Sequence, residues 1–263
     1  MTADRNRANV VSSFTVVKGS LVPETYRAFQ AWDWRQTKRE NLARMREDNT
    51  FGSGSASWSL NVSKVINRRF DPGGRDRPLV ELTKTGCELR VWRPILLWHM
   101  TRDEFLVRDF LVNWLYQRYV EGVFRLRADD VAPYLHDLRK NRSIELADEW
   151  TDRTTERVAS GLLRMALDFE LVSGGTVKEF VSYHLPDESF LYLLHALAEL
   201  NPSAQGIIGS DEWRMYLLDA SDVERELLRL HQFGKLRFES AGTLQSLSLP
   251  CSTAAEYAKE LAT

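Results

Sequence analysis

The most apolar part of the sequence, residues 88–122, constrains the fold more than any other segment. Pro94 and the polar junction at residues 101–104 indicate that this stretch forms two helices. The first helix is predicted over residues 89–100 and the second over residues 103–121. Because helices with so few polar positions must be buried, we expect the pair to form the core of the protein.

The same stretch contains the best candidate for a membrane span, residues 105–124. Four charged side chains interrupt it: Arg108, Asp109, Arg118 and Glu121. Each charge near the centre of a bilayer costs about 2.5–3.5 kcal/mol on insertion scales. The N-terminus is polar and lacks the apolar core of a secretory signal. We therefore expect a cytoplasmic protein without an integral membrane segment.

Helical patterns also precede the apolar core. Residues 25–46 carry apolar side chains on one side and Arg and Lys on the other, which predicts one helix. Residues 49–57 are rich in Gly and Ser and predict a loop. Apolar residues then recur at helical spacing from Trp58 to Phe70, and the following Asp-Pro-Gly-Gly run ends that helix.

The C-terminal half combines helices with β-hairpins. Helices are predicted over residues 129–140 and 151–165, and the β-branched and aromatic residues of 176–183 predict a strand. A second unit of the same kind closes the chain, with a helix over residues 221–234 and a hairpin over 235–249. We therefore predict a mainly α protein, a helical bundle with winged-helix-like β-hairpins in its C-terminal half.

Three regions are predicted along the chain. Residues 1–80 form an N-terminal basic helical region, residues 81–185 a central helical core with a winged-helix-like segment, and residues 186–263 the C-terminal helices and β-hairpin. The formal net charge is only -2, yet residues 1–78 hold 14 Lys and Arg against 8 Asp and Glu. Such an excess is typical of a local site for a polyanion in a near-neutral chain.

Two predicted helices carry most of this basic excess. Arg35, Lys38 and Arg39 follow one another at a spacing that places them on one helix face. The other basic candidates of these two helices are Arg44, Arg46, Lys64, Arg68 and Arg69. Arg outnumbers Lys in the chain by 27 to 8, and guanidinium groups suit bidentate phosphate contacts. The alternative interpretation is that these residues form the solvated faces of amphipathic helices.

The predicted helix over residues 151–165 is a candidate for contact with a DNA groove, because it follows a short helix and precedes a hairpin. Its candidate contacts are Arg153, Thr154, Thr155, Arg157 and, further on, Arg164. Threonine hydroxyls and the amides of a helix N-terminus can bind phosphate, and Arg can reach a base edge. The alternative is an ordinary N-cap at Thr151 or Thr154, worth about 1 kcal/mol, without DNA contact.

No catalytic or metal-binding motif is present in the sequence. Phosphate-loop, dinucleotide-binding, nucleophile-elbow and HExxH patterns are absent, and the five histidines never pair at i, i+4. Pro186-Asp187 matches half of a metal-dependent nuclease motif, but the Glu-x-Lys half does not follow. Cys87 and Cys251 have no CxxC partner, so they cannot form a thiolate zinc site. We therefore expect no enzymatic activity, no metal, no cofactor and no small-molecule substrate.

Several short motifs follow one another along the chain in a characteristic order. They are Lys18-Gly19-Ser20-Leu21 with Pro23-Glu24, Arg39-Glu40-Asn41-Leu42, the helix end Arg68-Arg69, residues 109–119 ending in Gln117-Arg118-Tyr119, residues 150–171 and residues 230–249. In this order and spacing the chain resembles the BrxA family, a component of the BREX bacteriophage-exclusion systems of bacteria and archaea. The resemblance spans nearly the whole chain, which departs from the family pattern at the Gly/Ser loop 52–57 and at an insertion over 71–78.

The resemblance implies a mostly helical protein, similar in part to the NusB antitermination factor, that binds double-stranded DNA and has no catalytic activity. It also implies partners among the other BREX components: a methyltransferase, an alkaline-phosphatase-like protein and a large ATPase. Members of the family have also been described as inner-membrane proteins, which disagrees with the charges within residues 105–124.

The leading hypothesis is a non-enzymatic DNA-binding accessory protein of a BREX phage-defence system, which contacts duplex DNA through Arg-rich helix faces. A second hypothesis is a scaffold that docks other BREX components. A third is an RNA-binding protein, as the NusB similarity suggests. One continuous positive strip joining residues 35–69 with 153–164 would favour the first hypothesis, and arginines paired with carboxylates would count against it.

Overall fold

The computed structural model describes residues 10–140, 145–146, 149–241 and 244–261. The chain is mainly helical, as predicted. The helices before the central core are α1 (Ser13–Val16), α2 (Val22–Gln30), α3 (Lys38–Glu47), α4 (Ala56–Arg69) and α5 (Arg77–Lys84). The core follows as α6 (Leu89–Thr101), α7 (Phe105–Asp109), a π-helical segment (Phe110–Leu115) and α8 (Tyr116–Val120).

The C-terminal half alternates helices with short strands. Its helices are α9 (Ala128–Lys140), α10 (Asp152–Asp168), α11 (Asp187–Leu200), α12 (Ala204–Ile208), a 3₁₀ helix (Asp211–Tyr216), α13 (Ala220–Gln232) and α14 (Ala254–Glu260). The strands of the whole chain are β1 (Val10–Val11), β2 (Glu145–Leu146), β3 (Val172–Ser173), β4 (Glu179–Phe180), β5 (Arg237–Ala241) and β6 (Leu244–Ser248).

The strands pair in three separate two-stranded sheets. β1 and β2 are parallel, whereas β3 with β4 and β5 with β6 are antiparallel. The predicted C-terminal hairpin is confirmed, with Arg237 opposite Ser248. The strand predicted over residues 176–183 is shorter than expected, since only β4 and a bridge between Lys178 and Leu126 form within it. That these hairpins serve as the wings of winged-helix modules stays a prediction.

The central apolar stretch forms the core, as predicted. Trp92 on α6 is fully buried, and its ring packs edge-on against Tyr26 with ring centroids 5.1 Å apart. Its indole Nε1 donates a hydrogen bond to the carbonyl oxygen of Leu79 at 2.9 Å. Helices α2, α5 and α6 therefore meet at Trp92. Apolar residues from all three predicted regions belong to one buried cluster, and the division into three regions stays a prediction.

Within the described ranges, no helix has both the length and the apolarity that a bilayer span requires.

The single helix predicted over residues 25–46 is wrong, because the chain turns between α2 and α3. Buried Asn41 stabilises this turn: its side-chain carbonyl oxygen accepts a hydrogen bond from the Asp33 amide, and its amide group donates to the Asp33 carbonyl oxygen, both at 2.8 Å. Thr37 then starts α3 with a capping box to Glu40. Arg35 consequently lies in the turn and does not share a helix face with Lys38 and Arg39.

Buried His195 on α11 is one of the residues that attach the last helix, α14, to the rest of the protein. Nδ1 of His195 lies 2.7 Å from the Leu191 carbonyl oxygen, to which it donates, and Nε2 accepts a hydrogen bond from the Cys251 amide at 3.2 Å. The imidazole also stacks on Tyr257, with ring centroids 4.8 Å apart. Both nitrogens can play these roles only in the neutral imidazole, because a protonated ring has no acceptor.

Acidification is expected to weaken the attachment of α14. Burial lowers the pKa of His195, although a backbone hydrogen bond to Leu191 and the carboxylates of Glu260, Glu199 and Glu256 oppose the shift. The contribution of this residue to stability is therefore complete above the ordinary histidine pKa of 6.5 and is lost as the pH falls through the lower pKa of the folded state. We expect the thermal unfolding midpoint to fall more steeply on acidification in the wild type than in His195→Gln. Equal slopes would contradict this role.

Candidate nucleic-acid interface

The outer face of α10 carries a row of exposed polar side chains. Thr151 starts this helix, since its Oγ1 accepts a hydrogen bond from the Thr154 amide at 3.2 Å. Val158, Leu162 and Met165 face the core, and their spacing leaves the opposite face to solvent. That exposed face bears Arg153, Arg157, Ser160 and Arg164, which we call the α10 stripe. The spacing of four, three and four residues keeps these side chains in line along the helix.

The arginines of the α10 stripe differ in their partners. Among the described residues, no carboxylate forms an ion pair with Arg153 or Arg157. Arg164 donates from Nε to Asp168 at 2.8 Å, but its side chain is still 67% exposed. Arg153 and Arg157 are thus without an ion-pair partner in the described part of the chain, and Arg164 is paired yet accessible.

The two threonines predicted to contact DNA belong to the start of α10. Thr154 is half-buried, and its Oγ1 lies 3.1 Å from Oγ1 of Thr151. Thr155 is buried, and its hydroxyl donates to the Thr151 carbonyl oxygen at 3.3 Å. The prediction of a nucleic-acid contact at Thr155 is therefore wrong for this conformation, because its hydroxyl faces its own helix. The N-cap at Thr151 is confirmed.

Two shallow grooves lie where α1 meets the α10 stripe. The helices approach closely at Gly161, where a Cβ atom would lie only 2.9 Å from the Val16 carbonyl oxygen. Grooves of about 530 and 430 Å³ flank this contact and share Val17, Gly161 and Arg164. The larger is also lined by Lys18, and the smaller by Arg157. Lys18 thus joins the basic groups of α10, although it lies more than 130 residues away in the sequence.

A second basic surface lies on the antiparallel pair of α3 and α4. Its exposed side chains are Arg39, Arg46, Lys64 and Arg68, which we call the α3–α4 surface. Arg46 donates a hydrogen bond to the Ser63 hydroxyl at 3.1 Å, and Arg68 donates to the Ser12 hydroxyl at 3.3 Å. Within the described residues, none of the four forms an ion pair with a carboxylate.

Three other predicted contacts of this region are engaged within the protein. Lys38 donates from Nζ to the carbonyl oxygens of Asn67 at 2.6 Å and Phe70 at 2.5 Å, so it binds the C-terminal end of α4. Burial lowers the pKa of Lys38. Arg44 donates to the Ala31 carbonyl oxygen at 2.7 Å and pairs with Asp48. Arg35 is 90% exposed but pairs with Asp33 at 3.0 Å.

The prediction that Arg69 contacts DNA is wrong, because its side chain is fully buried. The guanidinium donates to Glu104 Oε1 at 3.1 Å and to the carbonyl oxygens of Thr15, Gly19 and Ser20 at 3.1, 2.9 and 2.9 Å. Oγ1 of Thr15 donates to Glu104 Oε2 at 2.5 Å and completes the network. Burial lowers the pKa of Arg69, and the Glu104 carboxylate opposes that shift. Arg69, the last residue of α4, therefore holds the segment that follows α1 against α4.

The short helix α1 lies between the two basic surfaces. Ser12, at its N-terminus, accepts the hydrogen bond from Arg68, whereas Val17, at its C-terminus, borders the groove beside Arg157. A helix of four residues is only about 6 Å long. The α3–α4 surface and the α10 stripe thus border opposite ends of one helical turn. No spacing pattern in the sequence could indicate this, because α1, α4 and α10 are far apart along the chain.

A family model described as BrxA matches residues 12–196, which is well over half of the chain and includes both basic surfaces. No curated protein matches the sequence. Within the residues that the structure describes, no group of three or more His, Cys, Asp or Glu side chains is placed to hold a metal ion.

Proposed function

The chain belongs to the BrxA family, and on that premise we propose that this component of a BREX phage-defence system is a non-enzymatic protein that binds duplex DNA. The proposal also places the protein in the cytoplasm. Its partners are double-stranded DNA and other BREX proteins, among them the methyltransferase, the alkaline-phosphatase-like protein and the ATPase.

The α10 stripe is the observation that carries the proposal. From Arg153 to Arg164 the helix rises by about 17 Å, which is the length of about five base pairs. Guanidinium groups along such a line can each bind a phosphate through two parallel hydrogen bonds. Lys18 lies beside this line in the adjacent groove, and the α3–α4 surface adds cations beyond α1. A duplex laid across α1 would therefore meet basic side chains on both sides.

The decisive experiment is a fluorescence-anisotropy titration of a labelled duplex at several salt concentrations. Neutralising the stripe in Arg153→Gln/Arg157→Gln/Arg164→Gln is expected to weaken binding at least about tenfold and to reduce the slope of log affinity against log salt by about 2–3. The reason is that each lost phosphate contact removes close to one released counterion.

A matched control neutralises three exposed arginines outside both basic surfaces: Arg90→Gln/Arg127→Gln/Arg237→Gln. The net charge changes equally, so this variant should bind DNA like the wild type if the stripe is the contact. Identical losses in the two triple variants would refute the assignment of the stripe. The absence of any duplex complex at low salt would refute DNA binding altogether, and stronger competition by structured RNA would favour an RNA-binding protein.

An exposed apolar patch supports a second candidate function, that of a scaffold for other BREX proteins. Val120, the last residue of α8, and Phe124, four residues further on, are 61% and 67% exposed. Tyr119 beside them is 42% exposed and packs against Phe180 with ring centroids 5.3 Å apart. Large apolar side chains grouped on a surface favour protein contacts. In a pull-down with BREX proteins, Val120→Ser/Phe124→Ser should lose the partner while duplex binding is unchanged, if this function holds.

A further inference from the structure

A cavity of about 690 Å³ lies between α5, α6, α11 and α14, and none of the residues that line it belongs to the basic surfaces described above. Its apolar wall comes from Pro78, Trp98, Ala196, Leu200, Ala254 and Ala255, and polar and charged side chains form the rest of the lining. A volume of this size, with apolar walls beside polar groups, is typical of sites for small molecules. We call it the α14 cavity.

A buried hydrogen-bond chain forms the floor of the α14 cavity. The Tyr192 hydroxyl lies 2.8 Å from His99 Nε2, and His99 Nδ1 lies 2.6 Å from Asp76 Oδ1. The second oxygen of Asp76 accepts a hydrogen bond from the Asp71 amide at 2.6 Å. All three side chains are almost completely buried. Because each hydrogen-bonding position in the chain is satisfied, the floor is rigid and needs no ligand for its own stability.

The charges around the α14 cavity do not balance. Of the two acidic residues in the lining, Glu81 pairs with Arg77 at 2.7 Å, whereas Glu199 accepts a hydrogen bond from the Ala254 amide at 2.7 Å and keeps its negative charge. Within the described residues, Arg102 and Lys259 have no carboxylate partner. The lining therefore carries four cations, Arg75, Arg77, Arg102 and Lys259, against the two carboxylates, and the two cations without an ion pair lie just after α6 and on α14.

Arg102 and Tyr192 both line the cavity. Burial raises the pKa of the Tyr192 hydroxyl, and the positive charge of Arg102 opposes this rise.

We propose that the α14 cavity binds a small organic phosphate with a flat apolar body, of about the size of a nucleoside monophosphate. The apolar walls cover the body, and Arg102 together with Lys259 binds the phosphate, since a dianion matches two unpaired cations. The molecule is a ligand that α14 helps to enclose, because Ala254, Ala255 and Lys259 all come from that helix.

The test is isothermal titration calorimetry of the full chain with AMP as the probe. Adenosine supplies the body without the charge, and inorganic phosphate supplies the charge without the body, so each should bind at least about tenfold more weakly than AMP. Arg102→Gln/Lys259→Gln is expected to weaken AMP binding about tenfold to hundredfold. Ala255→Trp, which fills the cavity from α14, should remove AMP binding without removing either cation.

Matched controls separate this site from the DNA interface. Arg127→Gln/Lys235→Gln removes one arginine and one lysine from exposed positions elsewhere and should bind AMP like the wild type. Arg102→Gln/Lys259→Gln should keep wild-type duplex affinity, so the failure of either proposal leaves the other intact. The proposal is overturned if AMP does not bind at millimolar concentration, if AMP binds no better than adenosine or phosphate, or if Ala255→Trp binds AMP normally.

Discussion

Replacement of Arg69 by alanine is expected to lower the free energy of unfolding by about 3–5 kcal/mol. The substitution leaves the buried carboxylate of Glu104 without its cation, and three backbone carbonyl oxygens, those of Thr15, Gly19 and Ser20, lose their donor. A buried charge or polar group without a partner is costly, because neither water nor protein replaces the lost bond. Chemical denaturation followed by circular dichroism measures the change.

The neighbouring Arg68→Ala is the matched control, because this arginine is exposed and makes one hydrogen bond to Ser12. Arg68→Ala should lower the free energy of unfolding by less than about 1 kcal/mol. The double variant Arg69→Met/Glu104→Met should be more stable than Arg69→Ala, since it removes both buried charges together. A cost for Arg69→Ala no larger than that for Arg68→Ala would show that the buried network does not stabilise the fold.

His99→Leu is expected to lower the free energy of unfolding by a similar amount, about 3–5 kcal/mol, because it breaks the hydrogen-bond chain in the floor of the α14 cavity. Leucine fills the space of the imidazole but leaves the Tyr192 hydroxyl without an acceptor and Oδ1 of Asp76 without its hydrogen bond from His99. Burial by itself raises the pKa of Asp76, but the hydrogen bond from His99 and other favourable contacts outweigh it, so the pKa lies below its ordinary value.

Without His99, only the Asp71 amide and the charge of Arg75 still oppose the effect of burial, so we expect the ionised carboxylate of Asp76 to destabilise the folded state. The stability lost in His99→Leu should therefore be largest near neutral pH and should shrink as acid protonates Asp76. Tyr192→Phe is the control, because it removes only the hydroxyl and should cost about 0.5–1.5 kcal/mol at every pH tested. If the stability lost in His99→Leu does not change with pH, the role of Asp76 is contradicted.

Local signals were enough to predict most helices of the chain. Residues 89–100 and 129–140 were predicted as helices and correspond to α6 and α9 within one residue at each end. The hairpin predicted over residues 235–249 is confirmed by the antiparallel pairing of β5 with β6. These elements succeed because helix caps, apolar periodicity and turn residues act over a few neighbouring positions.

The break between α2 and α3 was missed for a physical reason that is also local. Apolar periodicity continues across the break, whereas the turn depends on the Asn41 side chain binding the backbone of Asp33. The prediction that Arg35 shares a helix face with Lys38 and Arg39 failed together with the single helix, whereas its contact with DNA stays a prediction. A continuous hydrophobic pattern is thus weak evidence for a continuous helix when a capping box such as Thr37 with Glu40 lies within it.

The sequence by itself determined the helical class, the hairpin near the C-terminus and membership of the BrxA family, because all three depend on residue types in order along the chain. Only the tertiary structure decided which basic side chains are free to bind a polyanion. Arg68 and Arg69 are adjacent in the sequence, yet one is exposed and the other is buried against Glu104, 35 residues away. The charge available to a ligand depends on burial and on partners brought in from distant segments, and a one-dimensional pattern contains neither.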